Sequence, residues 1–96
     1  MANNGNLAFK NDVYTGDEYA SFETIMDVSL TQGSSYVIQV QGDGVNGVMF
    51  CEASSKPTEG GFFWNTTEPF TYTKGTTSLW ILVQNGKKVS INVADK

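Results

Sequence analysis

The sequence contains no histidine and no arginine, a single cysteine, two prolines and no long apolar run. Each absence removes a class of function. Without histidine the chain lacks the commonest general base and the commonest metal ligand together. One cysteine and no histidine cannot build a zinc site of the usual composition. Without arginine, and with six lysines against ten acidic residues for a net charge of −4, there is no basic face to meet a phosphate backbone. Nucleic acid is therefore not an expected partner. No apolar stretch approaches the roughly 20 residues that span a bilayer, so no membrane partner is expected. Near the amino terminus Lys10, Asp12, Asp17 and Glu18 stand where a signal peptide would need an apolar stretch, which predicts a chain not secreted by that route. Cys51, alone, has no internal disulfide partner, fits a reducing cytoplasm and lies in a strand-like run where it reads as a small hydrophobe.

What is present is a β-forming composition. The 96 residues are 40% hydrophobic and 12% aromatic, with ten glycines and many Thr, Ser and Asn. That suits turns and strands more than helices. The expected organisation is a polar arm at residues 1–6 followed by one β domain at 7–96. Leu7 to Phe9 is a short edge-strand candidate, and residues 11–18 read as turn. Between Tyr19 and Leu30 two patterns compete. Tyr19, Phe22, Met26 and Leu30 recur at helical spacing, whereas β-branched Thr24, Ile25 and Val28 and the alternation of Met26, Val28 and Leu30 favour a strand over 23–30. The strand is the preferred reading.

Tyr36, Ile38 and Val40 alternate with Val37, Gln39 and Gln41, a strand that a tight Gly42-Asp-Gly44 connection would return as a hairpin through Val45 to Glu52. Short apolar pieces follow at Phe62-Phe-Trp64 and Phe70-Thr-Tyr-Thr73. Two strand-like runs then flank Asn85-Gly86, the strongest local hairpin signal. In total the sequence predicts seven or eight short strands with frequent turns. The fold class is all-β, a single antiparallel β-sandwich or small barrel, with jelly-roll and Ig-like topologies both open.

The run Leu79 to Val83 is apolar at every position, whereas Val89, Ile91 and Val93 alternate with Lys88, Ser90 and Asn92. A two-residue hairpin loop would pair Leu82 with Val89 and Trp80 with Ile91, leaving Leu79, Ile81 and Val83 as surplus. A bulge at Gly86 would pair Ile81 with Val89 and Leu79 with Ile91, leaving Trp80 and Leu82. Three consecutive aromatics, Phe62, Phe63 and Trp64, raise the same problem, because alternate strand residues face opposite ways. Phe62, Phe63, Trp64, Leu79, Trp80, Ile81 and Leu82 are thus the candidate interface residues, and a homo-oligomer or assembly contact is the expected consequence.

Candidate chemistry is sparse. Ser54, Ser55 and Lys56 are adjacent in a loop, a spacing that rarely makes a nucleophile–base pair. The carboxylates fall mostly in turns, where solvation explains them better than a glycosidase dyad. Asp43-Gly-Val-Asn46 would need a carboxylate near Ser54 to act as a calcium loop, so it reads as a turn. Gly42-Asp-Gly44 and Gly60-Gly61 precede no helix and are not phosphate loops. Asn65-Thr-Thr67 matches a glycosylation sequon that an unexported chain would not use. No enzyme and no cofactor are expected.

The run Ser35-Tyr-Val-Ile-Gln-Val-Gln-Gly-Asp-Gly44, then Val48-Met-Phe-Cys51, Pro57-Thr-Glu-Gly-Gly-Phe62, Glu68-Pro-Phe70 and Ser78-Leu-Trp-Ile81 resembles short bacteriophage virion proteins. The resemblance is one of pattern over residues 33–93, and Thr67 departs from it where glycine would be typical before Glu68-Pro-Phe70. It implies a β-sandwich that decorates or cements a capsid, or completes a tail or head fibre. Its partners would be other virion proteins, the major capsid or tail protein among them. The chain would be made in the host cytoplasm and carried in the virion. The alternative is a carbohydrate-binding module for cell-surface recognition, using exposed Trp64, Trp80 or Tyr72.

Overall fold

A computed structural model describes residues 6–42, 47–63 and 67–96. Eight strands follow in order: β1 (Asn6–Val13), β2 (Tyr19–Ser21), β3 (Ser35–Gln41), β4 (Val48–Ala53), β5 (Phe62–Phe63), β6 (Phe70–Thr73), β7 (Ser78–Val83) and β8 (Val89–Asp95), with one short helix, α1 (Phe22–Met26), after β2. They form two four-stranded sheets, β1-β8-β3-β6 and β2-β7-β4-β5. Every ladder is antiparallel, and β1 pairs with β8, β2 with β7, β3 with β6 and β4 with β5. That nested pairing is one long hairpin rolled up on itself, the jelly-roll form of the sandwich. Of the two topologies open from sequence, the jelly roll is the one adopted.

The core lies between the sheets. From the first sheet Val13, Tyr36, Ile38, Val40, Tyr72, Val89, Ile91 and Val93 point inward, and from the second Val48, Phe50, Leu79, Ile81 and Val83. The period-two patterns of β3 and β8 therefore report the buried face correctly. Each fully buried aliphatic or aromatic side chain contributes about 1.5–3 kcal/mol, which sets the inside–outside choice.

The structure corrects the expected hairpins and the strand expected at residues 23–30. The runs flanking Asn85-Gly86 are not paired with each other. The turn exists, closed by Lys87 N–H donating to the Gln84 carbonyl at 3.0 Å, but β7 and β8 belong to different sheets. The chain arches from one sheet to the other, so Leu79/Ile81/Val83 face Val89/Ile91/Val93 across the core. Both strands hide their best apolar face in this way, without the bulge at Gly86 that a hairpin would need to do the same. β3 and β4 likewise belong to different sheets and are not the two arms of a hairpin.

The second correction concerns residues 23–30, which do not form a strand. Helix α1 opens at Ser21, whose hydroxyl accepts from Thr24 N–H at 3.4 Å, and ends at Asp27, in the left-handed region at φ 56°. One turn of helix is not stable alone. Phe22 and Met26, both buried, hold it against the core, and Leu30 follows them inside. The helical spacing in the sequence was the true signal, and burial outweighed the β-propensity of Thr24, Ile25 and Val28.

The sheet edges are β1 and β6 on one sheet and β2 and β5 on the other. β1 is longer than the patch at Leu7 to Phe9 suggests, and its pairing with β8 is broken by shifts on either side of residues 8–10, with Asp12 at φ 55°. Of the expected polar arm, residues 1–5 lie outside the described residues, while Asn6 opens β1.

Candidate interaction surface

Registers across the second sheet define rows of side chains. Tyr19 pairs with Leu82, Leu82 with Met49, and Met49 with Phe63. This row crosses the four strands on the outer face. The next outer row is Ser21, Trp80 and Cys51. Between them runs an inner row, Ala20, Ile81, Phe50 and Phe62. The outer face of this sheet is thus largely apolar. On the other sheet, Val37 pairs with Thr71 and Ala94, Gln39 with Asn92 and Gln41 with Ser90, so that outer face is mostly polar. The surplus apolar character inferred from β7 exists, and it lies on one face of one sheet.

Part of that face is covered from within the chain. The Tyr19 hydroxyl donates to the Gly60 carbonyl, and Trp80 Nε1 donates to the Ala53 carbonyl at 2.9 Å. The loop at 54–61 therefore folds back over β7 towards β2. Lys56 Nζ sits 3.2 Å from Glu18 Oε1 at its rim, an exposed pair that adds little. Tyr19 is only 4% exposed under this cover, and burial, then Cys51, pushes its pKa up.

The candidate residues separate accordingly. Leu79 and Ile81 are core residues and take no part in the outer face, because their parity along β7 turns them inward. Trp80 and Leu82 face outward and are half-buried beneath or beside the loop. Phe62 and Phe63, on the two-residue edge strand β5, are 82% and 55% exposed. Trp64, the turn at residues 43–46 and Asn65 of the sequon lie outside the described residues. The structure brings Phe63 to the end of the Tyr19–Leu82–Met49 row and places Phe62 beside Phe50 at the open margin between the sheets.

The sequence reading left Met49 out of the candidate interface and took Cys51 only for a small hydrophobe, and both are half-buried on the same outer face. The signal was available. Val48-Met-Phe-Cys51 is apolar at every position, the same two-faced property that marked β7. It also gave Tyr72 only a sugar-binding role. Tyr72 is 7% exposed, and its hydroxyl makes no hydrogen bond of normal geometry to any described residue. Burial, then the nearby Glu52 and Glu23 carboxylates, pushes its pKa up to about 12.

Comparison with protein-family models, with curated proteins and with solved structures returns no match.

Proposed function

We propose that the chain is a non-enzymatic structural protein of a virus particle, which decorates a capsid or completes a tail or head fibre through protein–protein contacts on the outer face of its second sheet. The observation that supports this reading most is the row Tyr19–Leu82–Met49–Phe63, which runs under its own loop at one end and emerges bare at Phe63 on the edge strand. An exposed aromatic continuous with an apolar strip is the usual anatomy of a contact hot spot. The resemblance of residues 33–93 to phage virion proteins names the kind of assembly. Jelly rolls recur in capsid proteins and in lectins alike, so the fold adds analogy only.

Carbohydrate recognition is the weaker reading. Trp80 is half-buried with its indole N–H committed to Ala53, and Tyr72 is buried. A sugar platform needs a free ring face. Light scattering after size-exclusion chromatography, run beside co-sedimentation with purified particles, tests the assignment. Self-association or particle binding supports it. A strict monomer that binds no particle overturns it.

A further inference from the structure

At the margin where β4 and β5 of one sheet face β6 of the other, the sandwich opens into a groove of about 520 Å³. Its walls are mainly apolar and aromatic: Phe50, Phe62, Phe70, Tyr72 and Leu79, with Glu52 at the mouth. We propose that this groove binds an alkylammonium group, the side chain of a lysine carried by a partner protein. The proposal rests on the contact surface above for the existence of that partner, and it deepens that reading by naming what the partner presents.

Three features carry it. The first is the aromatic wall. Phe50 and Phe70 meet edge to face, with centroids 5.4 Å apart at 66°, and Phe62 stands 82% exposed beside them. Ring faces of this kind attract cations and also bury a four-carbon stem. The second is charge. Glu52 shares the inward parity of Val48 and Phe50 along β4, yet it is exposed at the mouth. The ion pairs among the described residues, Lys56–Glu18 and Lys74–Glu23, leave it without a cation. The third is the Tyr72 hydroxyl, buried in the groove wall, where it makes no well-formed hydrogen bond and has the Glu52 carboxylate as its neighbour. A buried polar group left unmatched is costly, and a ligand that reaches it recovers that cost.

The two polar groups select the ligand. A carboxylate or phosphate would meet Glu52 and Glu23 with like charge. A neutral alkyl chain would fill the apolar wall but leave the Glu52 charge without a cation and bring no donor to the Tyr72 oxygen. A primary ammonium donates to both, since its three N–H bonds can reach acceptors on two different residues. A guanidinium is built for two parallel bonds to one carboxylate and fits this pair less well. A trimethylammonium has no N–H to donate. In an acidic chain of net charge −4 the cation is also favoured at long range.

The test is a titration of the full chain with Nα-acetyl-lysine methylamide, followed by amide chemical-shift changes. The expected result is saturable binding with Kd of about 1 mM, the scale of one side chain, and shifts concentrated at residues of β4, β5 and β6. The neutral norleucine analogue and choline should each bind about 10-fold more weakly, as should Glu52→Gln and Tyr72→Phe towards the lysine probe. Both variants should fold, because Glu52 is exposed and the Tyr72 hydroxyl is unmatched. Equal binding of norleucine, tighter binding of choline or of a neutral sugar, or no shift at 50-fold the expected Kd would each overturn the assignment. Phe63→Ser separates the two proposals. It should keep the lysine probe while losing the particle contact, so failure of one leaves the other standing.

Discussion

The Glu23 carboxylate and the Lys74 ammonium meet at 2.9 Å, 51 residues apart, and tie the helix to the turn after β6. Both side chains are mostly shielded, at 26% and 13% exposed. The other carboxylate oxygen accepts from Leu30 N–H at 3.0 Å, so one side chain fixes the helix, the segment after it and the far sheet. A partly buried pair with further hydrogen bonds is worth more than a surface pair.

This pair predicts acid sensitivity. Burial alone would raise the Glu23 pKa, but the Leu30 N–H and Lys74 outweigh it, and the folded value lies below the ordinary 4.5. A depressed carboxylate stabilises the fold above its unfolded value, and that stability is lost as pH falls from there through the folded value. Urea midpoints should therefore decline below about pH 4.5, and Glu23→Gln should lower stability by about 1 kcal/mol at pH 7 while flattening this acid limb. An unchanged acid limb in the variant would remove Glu23 as its cause.

The loop over the outer face depends on Gly61. Its φ is 111°, and a Cβ there would fall on the Tyr19 hydroxyl and 2.8 Å from the Phe50 carbonyl oxygen. Gly61→Ala should cost about 3 kcal/mol or release the loop. Gly60→Ala, at φ 84° with open space around it, should cost only about 1 kcal/mol. Denaturation of the two variants side by side checks the difference, and equal costs would mean that the Tyr19 contact is not what places the loop.

Tyr72→Phe should be neutral or stabilising by up to about 1 kcal/mol, because it removes an unmatched buried hydroxyl. In the native chain the Tyr72 pKa stands near 12, above the ordinary 10.0. The stability tied to its neutral form is complete below the unfolded value and is lost as pH rises from about 10 towards 12. Tyrosinate absorbance should show a late step that disappears in Tyr72→Phe. A variant destabilised by more than about 1.5 kcal/mol would mean the hydroxyl is bonded.

The inside–outside assignment of β7 is tested by Ile81→Ala and Leu82→Ala. Ile81 is fully buried and should cost about 3–4 kcal/mol, whereas half-buried Leu82 should cost about half as much. The reverse order would contradict the arch between the two sheets.

Much of this was legible in the sequence, because period-two alternation reports which residues share a face. The buried set Tyr36/Ile38/Val40 of β3 and Val89/Ile91/Val93 of β8 can be read directly from it. What alternation does not report is the neighbour. Asn85-Gly86 specifies a reversal, and the same reversal serves a hairpin or an arch between sheets. The choice is made by non-local burial, which favours enclosing Leu79, Ile81 and Val83 over exposing them. The short helix was half legible, since Phe22, Met26 and Leu30 carry its spacing while neighbouring β-branched residues oppose it. The apolar surplus of β7 was legible. Its sharing between the loop at 54–61 and the edge strand was not, because the loop is anchored by Tyr19, 41 residues before Gly60.

The proposed assembly contact is tested most directly by co-sedimentation of the chain and of Phe63→Ser with purified phage particles, the partner proposed above. Phe63 is 55% exposed at the edge, so the substitution should change stability by less than about 0.5 kcal/mol. Saturable binding of the native chain is expected, with a loss of about 10-fold or more in the variant. Equal binding by both proteins, or binding by neither, would contradict it.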